Sequence, residues 1–68
     1  MKEIMEKIYN SMEKGRFYTL DELYTIHSTL EKKIVKVNVG LLLYQGIIEK
    51  IIDLEIKQEF YRKPLTNH

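Results

Sequence analysis

The stretch from Leu30 to Lys50, LEKKIVKVNVGLLLYQGIIEK, narrows the possible folds most, because it reads as one helix that stops abruptly and turns into a strand. Lys32, Lys33 and Lys36 form the chain's densest basic cluster, and an apolar run follows to Leu43. Gly46 then supplies a helix stop, and Ile47-Ile48 a β-branched strand start. Val35, Val37 and Val39 alternate with Lys36 and Asn38, which taken alone is a strand signal. Spacing favours the helix: Val35, Val39 and Leu42, four and three residues apart, share one helical face. No β-branched residue lies between Leu41 and Gln45. The expectation is a helix over about 30–45.

Lys33, Lys36 and Gly40 fall on one stripe of that helix. A glycine there either lets another backbone approach closely or is tolerated at about 1 kcal/mol, and both readings stand. Ile34, Val37, Leu41 and Tyr44 make a second apolar stripe, and one helix in so small a chain rarely buries two.

Sixty-eight residues make one domain, near the lower size at which a chain folds without staples. With no cysteine, disulfides and thiolate metal sites are excluded, and a reducing, intracellular setting is compatible. Composition, 44% hydrophobic and 31% charged, is that of a globular chain. No apolar run approaches the roughly 18 residues of a membrane span, and the N-terminus lacks a signal peptide's apolar core. A soluble, cytoplasmic protein is expected.

Enzyme chemistry finds little support. The two histidines are His27, at the end of a helix, and His68, so no helical His-x-x-x-His or His/Cys ligand set exists. Ser11, Ser28, Thr19, Thr25 and Thr29 have no paired base. The three glycines, at 15, 40 and 46, form no phosphate loop. Asp21 and Glu22 are helix-start residues. No catalysis, cofactor, metal or small-molecule ligand is expected.

Net charge is +1 but uneven. Residues 1–31 carry four basic and six acidic groups, and residues 32–68 carry seven and four, so the halves differ as −2 and +3. A basic second half is a modest sign of a polyanion-facing side.

Taken from the start, Lys2 to Lys14 carries Ile4, Met5, Ile8 and Met12 on one stripe, an amphipathic first helix stopped by Gly15. Arg16-Phe17-Tyr18 reads as a short strand. Thr19-Leu20-Asp21-Glu22 fits a capping box opening a short second helix to about His27. Ser28, with Glu31 in a second capping box, or Thr29 is the expected N-cap of the third helix. Two capped helices with a tight turn between them make a helix-turn-helix. After Gly46, Ile47 to Ile52 and about Lys57 to Lys63 read as strands, and the intervening Asp53-Leu54-Glu55-Ile56 signals no two-residue hairpin. Pro64 ends the second strand.

Helix, short strand, helix, turn, helix and hairpin, in that order, resembles the winged helix-turn-helix family of DNA-binding domains over nearly the whole chain. The best local matches are TLDEL, which looks like the family's polar cap leading into the second helix, and GIIEK, which looks like its step from recognition helix into wing. Leu30, Val35, Val39 and Leu42 fall where the family places buried apolar residues. Ser28-Thr29 stands in place of the usual turn glycine, and the wing lacks a Gly- or Arg-rich tip. The many Ile, Lys and Glu residues and the absence of Cys resemble small regulators of heat-loving archaea and their viruses or plasmids, although an AT-rich genome biases composition in the same direction.

The resemblance implies an α+β winged helix-turn-helix domain over 1–64 with a tail over 65–68. It also implies a transcriptional regulator that binds double-stranded DNA. Lys32, Lys33, Lys36 and Gly40 would meet the major groove, and Lys57, Gln58 and Arg62 the flanking backbone. Asn38 or Gln45 would reach a base only if the helix rolls. A homodimer is expected, because one small module makes few contacts and the apolar residues, with Tyr9, Leu54 and Ile56 added, exceed one core. The alternative is a winged-helix protein-interaction module without DNA binding.

Overall fold

The computed structural model describes residues 2–65. Three helices, α1 (Lys2–Ser11), α2 (Leu20–Ile26) and α3 (Lys32–Tyr44), precede an antiparallel hairpin of β1 (Glu49–Asp53) and β2 (Gln58–Arg62). Among the described residues no helix is long and apolar enough to cross a membrane.

The first helix buries Ile8, with Met12 buried just past its end and Ile4 and Met5 packed against the core, as its stripe predicts. It ends earlier than Lys14 because of a contact with a residue beyond the helix. The Glu13 backbone N–H donates to the Tyr18 hydroxyl at 2.8 Å instead of continuing the helical ladder. Gly15 adopts φ +83° in the turn that follows. Tyr9, expected to be surplus, packs against the core beneath the Lys63 ammonium.

Thr19 and Glu22 form both halves of the capping box: Glu22 N–H donates to Thr19 Oγ1 at 3.1 Å, and Thr19 N–H donates to Glu22 Oε1 at 3.0 Å. The third helix is capped differently from the expectation. Its N-cap is Glu31, with no side-chain cap, and Ser28 and Thr29 lie exposed in the turn. That turn closes through Leu30 N–H to His27 C=O, which half-buries Leu30 against the core and leaves neither hydroxyl at the helix start. The turn therefore spans 27–31, longer than the sequence suggests.

Val35, Val39 and Leu42 are buried, so the helical reading of the valine alternation holds. Gly46 (φ +74°) ends α3 in a Schellman motif: Ile47 N–H reaches Leu42 C=O at 2.9 Å, and Gly46 N–H reaches Leu43 C=O at 3.0 Å. Because those bonds occupy Ile47 and Ile48 is sunk in the core, β1 begins at Glu49, two residues later than expected.

The core joins Ile8, Met12, Tyr18, Leu23, Val35, Val39, Leu42, Ile48 and Tyr61. The expected short strand shrinks to one bridge, Tyr18 to Tyr61, with paired N–H···O bonds of 2.8 and 2.7 Å. The hairpin register sets Glu49 opposite Arg62, Ile51 opposite Phe60 and Asp53 opposite Gln58. These residues share one face, and Phe17 packs edge-on against Phe60 there, ring centroids 6.0 Å apart. The turn 54–57 is held by Asp53 Oδ1, which accepts the N–H groups of Glu55 and Ile56, and by Lys57 at φ +54°. With Tyr18 on the far side of β2, the outer edge of β1 has no strand partner among the described residues. Of the expected tail, Leu65 lies beside Gly15, and 66–68 fall outside the described residues.

Candidate nucleic-acid interface

The face of α3 turned away from the core carries Lys33, Lys36 and Gly40, all exposed. Neither lysine is ion-paired among the described residues. Lys32 is exposed as well, its ammonium 5.6 Å from the centre of the Tyr24 ring, tying the start of α3 to α2. Lys32 and Lys33 stand in the first turn, where no acid is present and a positive charge opposes the helix dipole. Apart from the contact of Lys32 with Tyr24, the fold has no internal use for cations there among the described residues. An anion brought to that end would meet three lysines and the positive pole together.

The second apolar stripe divides. Ile34 and Leu41 turn half inward, whereas Val37 and Tyr44, 48% and 89% exposed, join the lysine face. Lys33, Val37, Gly40 and Tyr44 then run in one line, spaced four, three and four apart. The sequence indicates that the second stripe is not buried whole, and Val37 and Tyr44 are the two members that turn outward.

Asn38 lies fully buried, its Nδ2 donating to Ile34 C=O at 2.8 Å, so it is out of reach of any base. Its Oδ1 has no hydrogen-bond partner among the described residues. Gln45 is exposed at the C-cap.

On the hairpin, Lys57 is exposed in the turn and Gln58 bonds the Glu59 carbonyl. Arg62 is otherwise engaged. Its guanidinium pairs with Glu49 through Nε and lies 5.0 Å from the centre of the Phe17 ring, so it braces the hairpin's outer face. Lys50 pairs with Glu59 at 3.9 Å and Arg16 with Glu22 at 3.4 Å. The hairpin end is apolar and acidic: Leu54 and Ile56 are 81% and 65% exposed, flanked by Asp53 and Glu55.

Buried His27 holds a pKa below its ordinary value through desolvation, with the nearby Lys7 charge adding to it. Tyr61 is held above its ordinary value by desolvation and by Glu59. Neither group opens onto the lysine face of α3. No group of three potential metal ligands is clustered among the described residues. No protein-family model, curated protein or solved structure matches the chain.

Proposed function

We propose that this chain is a sequence-specific double-stranded DNA-binding protein, a transcriptional regulator of winged helix-turn-helix type, with α3 entering the major groove. The observation that carries this is the exposed lysine set at the start of α3, placed where cations cost helix stability, with Lys33 and Lys36 in no ion pair among the described residues. The order of three helices and a hairpin supports the same reading. Lys32, Lys33 and Lys36 take phosphates or guanine edges, Gly40 faces the groove, and Lys57 with Gln58 touches the flanking backbone. Arg62, bound to Glu49, contributes by holding the hairpin's shape. Binding is expected to weaken linearly in log affinity against log salt. Lys33→Ala and Lys36→Ala should each reduce that slope by about one. Equal slopes for wild type and both variants would sink the assignment of α3.

A second reading, a protein-interaction module, is favoured by the hairpin end, where Phe17, Ile52, Leu54 and Ile56 are exposed beside two acids. Combined with DNA binding, that surface supports a homodimer whose two α3 helices read two half-sites. Sedimentation at micromolar protein, alone and with duplex, decides: a monomer in both removes the dimer.

A further inference from the structure

Two residues at the middle of the exposed face of α3 have no internal explanation. Gly40 is the poorest interior helix former apart from proline, yet a Cβ built on it meets nothing within 4 Å, so the fold does not need the space. Its φ is not positive, so the backbone does not need glycine either. Val37, one turn earlier, is a β-branched apolar residue left half-exposed between Lys33 and Lys36 on one side and Gly40 on the other. The face is thus charged at its N-terminal end and low and apolar at its centre. The lysines select a polyanion, and the centre offers it no hydrogen bond.

Resting on the DNA-binding reading above, we infer that Val37 and Gly40 form a thymine-reading step: Gly40 lets the helix backbone approach the groove floor, and Val37 packs on thymine C5 methyl groups. The methyl is the one apolar feature of a major-groove base edge, and it tells thymine from cytosine without a hydrogen bond. A side chain at position 40 would hold the helix away from it. The preference therefore depends on the glycine and the valine together.

The test uses the full chain with three 20-base-pair duplexes at one low salt concentration: alternating dA-dT, the same duplex with deoxyuridine for thymidine, and alternating dG-dC. Wild type should bind dA-dT about fourfold more tightly than dA-dU for each methyl contacted, with dG-dC weakest. Val37→Ala, which keeps a single methyl, should narrow the dA-dT over dA-dU preference, whereas Lys36→Ala should weaken both and keep their ratio. Gly40→Ala should raise the thermal midpoint, since the new methyl meets open space, while weakening DNA binding, a combination that a purely structural glycine would not give. Salt-dependent binding with no dA-dT over dA-dU preference overturns this inference and leaves the DNA reading standing. Binding to none of the three duplexes overturns both.

Discussion

Ser11 Oγ and His27 Nε2 lie 2.9 Å apart, joining the end of α1 to the C-cap of α2. The serine hydroxyl also donates to Ile8 C=O at 2.6 Å, so its lone pair receives the imidazole N–H, and neutral His27 carries its proton on Nε2. At 4% exposure, with Lys7 near, a second proton on this ring is unfavourable, and its pKa sits below the ordinary value. The unfolded chain takes up that proton first. Stability from this site is complete above the unfolded value of about 6.5 and is lost as pH falls through the folded-state value. Urea midpoints from about pH 8 to pH 5 should show this decline in wild type. In His27→Gln, which keeps a donor but cannot titrate, the component should vanish. Matching profiles would refute the assignment.

Thr19→Ala removes the acceptor for Glu22 N–H and half of the reciprocal cap. A loss of about 1 kcal/mol is expected, with DNA affinity per folded molecule unchanged. In a domain whose total stability is about 5 kcal/mol, that shifts the denaturation midpoint visibly. An unmoved midpoint would show that the cap contributes nothing.

Asn38→Leu should stabilise the protein. The asparagine occupies a fully buried position with Oδ1 unpartnered, and its amide bonds only an α3 carbonyl. Exchange for an apolar residue of similar volume removes that desolvation penalty and should add about 1 kcal/mol in chemical denaturation. A destabilised variant would mean that the amide has a partner the protein depends on.

Arg62→Ala should separate bracing from binding. Because the guanidinium is held by Glu49 and Phe17, its loss should lower the unfolding free energy by less than about 1 kcal/mol and leave the DNA salt slope unchanged. A slope reduced as much as in Lys33→Ala would return Arg62 to the DNA contacts.

Features written into a few neighbouring residues were legible in advance. The cap at Thr19 is fixed by a partner three positions away, Gly46 ends α3 by its own left-handed geometry, and the Val35, Val39, Leu42 spacing marks the buried face. What failed depends on how side chains pack in the folded chain rather than on a local pattern of residue types. The end of α1 is decided by the Tyr18 hydroxyl, and the start of β1 by the burial of Ile48. The cap at Ser28 or Thr29 was overridden by Leu30, whose packing pulls the turn past both hydroxyls. At the lysine face, Lys33, Lys36 and Gly40 were found because charge and glycine announce exposure. The stripe of Ile34, Val37, Leu41 and Tyr44 was left open between core and surface, because apolar character alone does not say which of its members turn outward, and charge alone does not reveal the pairing of Arg62 with Glu49 across the hairpin.

The unpartnered edge of β1 bears on how this protein behaves when crowded. Two copies joining such edges about a two-fold axis must oppose residues on the same face, so the axis passes through a residue facing itself. With the axis at Glu49, Lys50 or Asp53, a charge meets its own twin. At Ile51 the axis opposes Glu49 to Asp53 twice, and at Ile52 it sets Ile51 against Asp53 twice. Every symmetric register is thus penalised by the five residues of the strand itself. Copies that associate about a two-fold axis at the hairpin are therefore expected to meet through its apolar face rather than by joining β1 edges.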